Sequence, residues 1–235
     1  MSISVQPKIR NAILVRLPQR DLVQIRSRLE RVGMQTGDIL QAAGEPARAV
    51  YFVESGIVSL LAPLEEGGRI EIGHVGREGV AGVHAALGAE TLTSEIMAQS
   101  DGVVLRIEVA AVRSVMERAR ALRQGLVRFA NCLHAQVAQT AACNGSHDVV
   151  QRLARWLLMV HDRTDGDTLN LTHELISLML GATRPGVTIA AGALQKAGCI
   201  QYSRGRLTIV DREGLEQAAC ECYAIVADYY RSELK

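Results

Sequence analysis

The side chains best suited to chemistry lie in one stretch, residues 171–198, which reads LTHELISLMLGATRPGVTIAAGALQKAG. Arg184 lies near its middle. A guanidinium at the start of a helix can donate two hydrogen bonds to one guanine, which discriminates against other bases by about 1–3 kcal/mol. Hydroxyl and basic groups around it are suited to phosphate oxygens and base edges. The predicted DNA-contacting residues of this stretch are Thr172, His173, Thr183, Arg184, Thr188 and Lys196, and two arginines that follow it, Arg204 and Arg206, complete the set.

Two short helices joined by a tight turn are needed to present these groups. Thr172 is suited to cap the first helix, and Gly181, which tolerates a positive φ, is suited to end it. Thr183 can cap the second helix, and Pro185 costs little in the first turn. This order is typical of a helix-turn-helix, whose second helix enters the major groove of DNA.

A β-hairpin is predicted directly after the second helix. The β-prone runs 199–202 and 207–210 flank a turn that contains a glycine and two arginines. Paired helices alone are common in protein cores. The basic hairpin, or wing, is therefore the feature that favours DNA binding over a purely structural helix pair.

This region resembles the DNA-binding domain of the CRP/FNR family of bacterial transcription regulators. The matching residues are Leu171, Thr172, Gly181, Thr183, Arg184, Val187, Leu194, residues 196–200, residues 204–206 and Asp211. The resemblance implies a cytoplasmic homodimer that senses a signal, binds double-stranded DNA at a pseudo-palindromic operator and contacts RNA polymerase.

The second helix departs from the family at two positions. The best-known members follow the arginine with glutamate and carry another arginine four residues later, whereas this chain has Pro185 and Ile189. Neither side chain can hydrogen-bond to a base edge. We therefore expect a different operator sequence, with part of the specificity coming from DNA shape.

The first half of the chain is predicted to be mainly β-structure. Residues 9–32 have helical spacing that ends at Gly33. Short β-prone runs with turns between them then predict a sandwich or roll; they are residues 37–40, 49–53, 57–61, 70–72 and 103–107. The resemblance implies a cyclic-nucleotide-binding-like β-roll, a jelly-roll domain, and the fold class is α+β.

The predicted effector pocket of this roll lacks the usual ligand groups. Family members that bind cyclic AMP use a Gly-Glu pair for the ribose and an Arg-Ser pair for the phosphate. Here Gly82 precedes Val83, and Thr93 precedes Ser94. Without the arginine, a buried phosphate is left unpaired, at a cost on the order of several kcal/mol. We predict weak or no cyclic-nucleotide binding and no cofactor; the effector stays unknown, in a cavity that is filled by side chains or takes another ligand.

A long helix is predicted over residues 120–143. Its apolar stripe steps by three and four residues, which is typical of a helical seam; the stripe comprises Leu122, Leu126, Phe129, Leu133 and Val137. The stripe either packs on the helix's own domain or forms a dimer interface, and its position between the two domains favours the interface. The predicted domains are a roll (1–118), a dimerisation helix with a hinge at 144–146 (119–145) and a winged helix-turn-helix domain (146–235).

Cysteine and histidine residues leave a metal-dependent alternative open. An odd number of cysteines, five, favours a reducing cytoplasm over a disulfide framework. Cys220 and Cys222 are expected on different helix faces, with Cys199 as the only other cysteine nearby, so packed thiols are favoured over a metal site. No cysteine precedes Cys132, which excludes the N-terminal iron–sulfur ligands of some family members.

Haem ligation by His74 or His84 and a redox response of an exposed cysteine also stay open. A β-roll metalloenzyme would need a His-x-His pair, which the sequence lacks. We therefore expect no enzyme. A metal- or haem-dependent sensor, or a β-roll metalloenzyme, stays the alternative.

Composition sets outer limits on function. The formal net charge is +1, and residues 147–206 contain seven Arg or Lys against five Asp or Glu, so basic residues must cluster in space for DNA binding. An aromatic content of 3% argues against stacking on single strands. No run of eighteen apolar residues exists and the N-terminus does not resemble a secretion signal, so we expect no membrane association.

Overall fold

The computed structural model describes residues 8–65 and 67–234. The N-terminal half contains α1 (Ala12–Val15), α2 (Gln19–Arg26), β1 (Glu30–Met34), β2 (Ile39–Gln41), β3 (Ala49–Ser55), β4 (Val58–Pro63), β5 (Arg69–Val75), β6 (Val80–Ala81), α3 (Val83–Ala86), β7 (Glu95–Ala98), β8 (Gly102–Glu108) and α4 (Val109–Arg118). The C-terminal half contains α5 (Arg120–Ser146), α6 (Val149–His161), β9 (Thr168–Asn170), α7 (His173–Leu180), α8 (Arg184–Lys196), β10 (Ile200–Ser203), β11 (Arg206–Ile209), α9 (Arg212–Ala218) and α10 (Cys222–Glu233).

The N-terminal strands form the predicted β-roll. Two antiparallel four-stranded sheets, β1-β8-β3-β6 and β2-β7-β4-β5, face each other. Six of the seven residues of β3 are buried because this strand is covered on both sides. The α+β class and the roll, long helix and C-terminal domain arrangement are confirmed.

The prediction that helical structure continues to Val32 was wrong. Helix α2 ends at Arg26, and Val32 lies on β1, opposite Val104 of β8. Five residue pairs join these two strands, and Glu30 and Arg106 form a cross-strand ion pair with a 3.2 Å separation. This distant pairing outweighs the local helical spacing of the apolar residues.

The apolar stripe of α5 faces the protein's own roll. Leu122, Leu126 and Phe129 have no exposed surface, Leu133 is 1% exposed, and all four belong to the roll's core. Val137 is half-buried beside Gly73 of β5. The prediction that these five residues form a dimer interface is therefore corrected, because the single chain already covers them.

The predicted hinge at 144–146 is also corrected. Asn144 and Gly145 continue α5 as regular helix, and the break follows at His147, whose backbone is extended. Asp148 then caps α6 by accepting hydrogen bonds from the backbone N–H groups of Val150 and Gln151. The capping box at Asp148, rather than the glycine, decides where the new helix begins.

The C-terminal half has its own core and also contacts the roll. Residues of α6, α7, α8, α9 and the C-terminal strands pack together, and Ile57, Leu61 and Met97 of the roll join them. Helix α10 returns to lie along α5, where the side-chain amide of Gln136 donates to the hydroxyl of Tyr230 at 3.1 Å. Across the described residues, no single helix has the length and hydropathy to span a membrane, although the bent pair α7 and α8 together meets those two criteria.

Candidate nucleic-acid interface

Helices α7 and α8 form a helix-turn-helix whose axis turns by 105°. The hydroxyl of Thr172 accepts from Leu175 N at 3.1 Å and begins α7, and Gly181, with a φ of +56°, ends it. The hydroxyl of Thr183 accepts from Gly186 N at 3.3 Å and begins α8. The buried face of the pair consists of Ile176, Met179, Leu180, Val187, Ala190, Ala191 and Leu194.

The outward face of α8 carries the predicted reading groups. Arg184 is exposed at the first helical position, and the described residues offer its guanidinium no hydrogen bond. Ile189, just over one turn further on, is 72% exposed, the highest value among the exposed large apolar side chains of the described residues. Lys196 is exposed in the last turn. The helix therefore presents a cation at each end and an apolar surface between them.

His173 connects the two helices with the wing. Its ring stacks on Tyr202 at a centroid distance of 4.6 Å, and Nδ1 lies 3.0 Å from the hydroxyl of Thr188. Since that hydroxyl donates to the carbonyl of Arg184, Nδ1 is the donor in the His173–Thr188 bond, and Nε2 is left buried without a partner among the described residues. Neither nitrogen is therefore available to a phosphate, contrary to the predicted role of His173.

The environment of this imidazole disfavours its charged form. Burial lowers the pKa of His173, and the nearby positive charge of Arg184 lowers it further. Burial raises the pKa of the Tyr202 hydroxyl, which donates to the carbonyl of Leu171 at 2.9 Å. Tyr202 is a positioning residue that the sequence did not single out; its place in a β-prone run gave no sign of a partner on α7.

The predicted wing is confirmed as the hairpin of β10 and β11, which pairs further with β9. Arg204 and Gly205 form its two-residue turn with φ angles of +49° and +78°, as a type I′ turn requires. The carbonyl of Gly205 accepts from Leu171 N at 2.8 Å, which fixes the wing to the start of α7. Arg204 and Arg206 are both exposed.

Several of the predicted contact residues lie around the start of α7 and the start of α8. Thr172 lies beside the wing turn, because a Cβ at Gly205 would lie 3.8 Å from its methyl group. Thr183 and Arg184 begin α8, and Thr188 follows one turn later. Arg184, beside His173, and the wing arginines therefore lie near the start of α7, whereas Lys196 lies at the other end of α8.

The predicted effector residues do not form an open phosphate cradle. Gly82 has a φ of +79° and starts α3, where the side chain of Val83 has no exposed surface. Thr93 is exposed and Ser94 is half-buried. Arg113 of α4 donates to the carbonyls of Ala85 and Ala89, so this arginine is already engaged at the end of α3.

A buried polar cluster joins the roll to the C-terminal domain. Glu71 of β5 is 4% exposed and accepts from Ser59 Oγ at 2.5 Å and from Trp156 Nε1 of α6 at 2.8 Å. His74 Nδ1 lies 3.1 Å from the same carboxylate. Of the two candidate haem ligands, His74 is thus engaged between the domains, whereas His84 is exposed on α3.

The expectation that Cys220 and Cys222 point in different directions was wrong. Cys220 lies between α9 and α10 rather than within a helix, so its sulfur meets that of Cys143, 3.5 Å away. Cys222 lies 3.6 Å from His147 Nδ1. Sequence spacing gave no sign of this group, because its two halves are more than seventy residues apart.

Two family models match the chain in the order of its two domains. The cyclic nucleotide-binding domain matches residues 31–119, and the Crp-like helix-turn-helix domain matches residues 151–218. The transcriptional regulator SdrP of Thermus thermophilus is 25% identical over 198 residues, which are 81% of this chain and 94% of SdrP. The chain belongs to the CRP/FNR family.

Two further proteins are similar to this chain over most of its length. The transcriptional regulator LdrP, also of Thermus thermophilus, is 27% identical over 188 residues, which are 75% of this chain and 90% of LdrP. The structure of FixK2 from Bradyrhizobium japonicum superposes with a TM-score of 0.71 over 82% of this chain and 98% of that one, at 17% identity. That likeness shows that the two chains share a fold.

Proposed function

We propose that this CRP/FNR regulator binds a pseudo-palindromic operator as a homodimer, with one copy of α8 in each of two successive major grooves. The observation that carries this is Arg184, which is exposed at the first position of α8 and has no internal partner among the described residues. Arg184 would bond guanine O6 and N7. The phosphate backbone of the DNA would be bound by Thr172, Thr183, Lys196, Arg204 and Arg206. Base edges or a thymine methyl group would contact Thr188 and Ile189.

The dimer interface would lie on the face of α5 that the roll leaves uncovered. Exposed residues recur there at intervals of four, three, four and three, as a helix pair around a twofold axis requires; they are Val127, Asn131, His134, Ala138 and Ala141. We call these five residues the outer seam. Its two alanines would let the paired helices approach closely.

The effector would not be a cyclic nucleotide. Val83 fills the position at which a ribose ligand would be needed, and no arginine accompanies Ser94. An effector would act by binding one arrangement of the two domains more tightly than another. The contact between Glu71 and Trp156 is one that would differ between two such arrangements. RNA polymerase would be the further partner, and the site of action the cytoplasm.

The test is equilibrium binding to duplex DNA from upstream of the protein's own gene, over a series of salt concentrations. Arg184→Ala should abolish the preference for this DNA over a scrambled duplex. Lys196→Ala, the matched loss of one exposed cation, should lower affinity for both duplexes alike and reduce the salt slope by about one. Equal effects of the two variants, or no binding by the wild type, would contradict the proposal.

A further inference from the structure

Four potential metal ligands converge where the C-terminal end of α5 meets the junction of α9 and α10. The ligand atoms of Cys143, His147, Cys220 and Cys222 all lie within 4.8 Å of one another. The two sulfur atoms of Cys143 and Cys220 are 3.5 Å apart, and the sulfur of Cys222 lies 3.6 Å from Nδ1 of His147. Zinc bonds of about 2.3 Å to sulfur and 2.0–2.1 Å to nitrogen place neighbouring tetrahedral ligands roughly 3.5–3.8 Å apart.

Local structure explains why these atoms meet. Cys143 lies in the last turn of α5, and His147, where the helix ends, donates its backbone N–H to the carbonyl of Cys143 at 3.1 Å. Cys220 is in the non-helical link before α10, and Cys222 is in the first turn of α10. The link directs both sulfurs towards the end of α5. Three of the four residues are buried, and His147 is partly exposed, which leaves a side for entry.

The groups around the four ligands fit a bound cation. Nε2 of His147 lies 3.3 Å from the carboxylate of Glu221, the arrangement that leaves Nδ1 free to bind a metal. The amide of Gln139 donates to the sulfur of Cys222 at 3.1 Å. Burial raises the pKa of the Cys143 thiol, and the positive charge of Arg155, itself buried, opposes this effect. A divalent cation with three thiolates would carry one net negative charge, which Arg155 balances.

We propose that Cys143, His147, Cys220 and Cys222 bind one thiophilic divalent cation, zinc being the best fit, in a closed tetrahedral Cys₃His site. The ion would fasten α10 to the end of α5, directly beside the break at His147 where α5 gives way to α6. A closed shell of four protein ligands makes the site structural rather than catalytic. The bound ion would lie at the break between α5 and α6, and a change in the distance between the two α8 helices of the proposed dimer would depend on movement at this break.

The test is metal binding by the full-length chain without an affinity tag. Protein purified with zinc should contain one ion per chain, and the reduced, metal-free protein titrated with Co²⁺ without oxygen should give the intense visible bands of tetrahedral thiolate cobalt. Cys222→Ser and His147→Ala should lose these bands. Cys199→Ser, which removes another buried thiol outside the cluster, should keep them.

Glu221→Gln tests the carboxylate that orients His147. It should weaken Co²⁺ affinity about 10–100-fold while leaving the bands in place. Bound zinc should also raise the thermal unfolding midpoint of the wild type but not of Cys222→Ser.

Equal loss in Cys199→Ser and Cys222→Ser would overturn the proposal. So would weak octahedral bands, or fresh protein with a Cys143–Cys220 disulfide whose reduced form takes up no ion. None of these measurements involves DNA, so they are independent of the proposed operator binding.

Discussion

At the scale of single residues, the proposed base-reading groups differ in their contacts from the groups that hold them in place. Arg184 has no internal partner among the described residues, whereas His173 and Thr188 are bonded to each other and Tyr202 stacks on the ring. Residue type, capping and the family resemblance predict Arg184, Thr183 and the wing arginines as contact residues, and this stays a prediction. The sequence led us to predict a phosphate contact for His173. It could not reveal that the ring is stacked on Tyr202, because such stacking depends on the fold and not on local spacing.

Gly79 gives the sharpest residue-level test of how α5 sits on the roll. A Cβ at this position would lie 2.0 Å from the ring of Phe129, so Gly79→Ala forces the ring or the helix to move. We expect a loss of about 1–3 kcal/mol in the free energy of unfolding, as for other overpacked cores. Urea denaturation followed by circular dichroism measures it.

Gly33→Ala is the matched control for this substitution. Gly33 lies on β1 and does not need a positive φ, and a Cβ added there would have no neighbouring atom within 4 Å. The substitution should be neutral or slightly stabilising. A Gly79→Ala protein as stable as Gly33→Ala would mean that Phe129 is not packed against this turn.

At the scale of elements, strands bounded by clear turns and helices with capping residues could be predicted from the sequence. Strand pairing and helix packing that depend on distant residues could not. The wing, α8 and most strands of the roll carry local sequence signals that agree with the structure they adopt in the fold. Strand β1 and the α5 stripe do not, because pairing with β8 and burial against the roll are decided by distant residues. The same periodicity fits a self-packed helix and a dimer interface, and only the fold distinguishes them.

Substitutions on the two faces of α5 should separate stability from assembly. Ala138→Glu lies on the outer seam and places like charges near the twofold axis, so we expect monomers with nearly unchanged unfolding free energy. Leu126→Ala leaves a cavity on the buried face and should cost about 2–5 kcal/mol. Sedimentation equilibrium and urea denaturation measure the two quantities.

The opposite pattern would refute this assignment of faces. If the Ala138→Glu protein were dimeric and the Leu126→Ala protein folded but monomeric, the dimer interface would be on the apolar stripe of α5 and not on the outer seam.

At the scale of the whole molecule, the two domains are joined by buried polar contacts as well as apolar ones. Glu78, after β5, and Arg163, after α6, form an ion pair with a 2.7 Å separation, the side chains being 21% and 8% exposed. Burial alone would raise the pKa of Glu78. The Arg163 charge and backbone donors outweigh this effect and leave the pKa lowered.

Glu78→Gln should therefore destabilise the protein in a pH-dependent way. Breaking a buried pair costs about 3–5 kcal/mol, and the partial exposure of Glu78 favours the lower end. Because the folded-state pKa is lowered, the stabilisation is complete above the unfolded pKa of about 4.3 and is lost as the pH falls through the folded value. The difference in unfolding free energy between wild type and Glu78→Gln should thus shrink on acidification.

Urea titrations at several pH values measure this difference, with Glu30→Gln as the control. Glu30 pairs with Arg106 at the surface and is 65% exposed, so its loss should cost less than about 1 kcal/mol at any pH. A Glu78→Gln penalty that is constant with pH would show that the charge of Glu78 does not hold the domains together.

The most direct measurement of the central claim is selection of bound sequences from random duplex DNA by the wild type and by Arg184→Ala. A groove-reading homodimer should enrich two half-sites arranged as an inverted repeat, with their centres about 10–10.5 base pairs apart. Each half-site should contain a guanine whose enrichment disappears in Arg184→Ala. No enriched sequence, a single unrepeated site, or the same guanine preference in the variant would contradict the account.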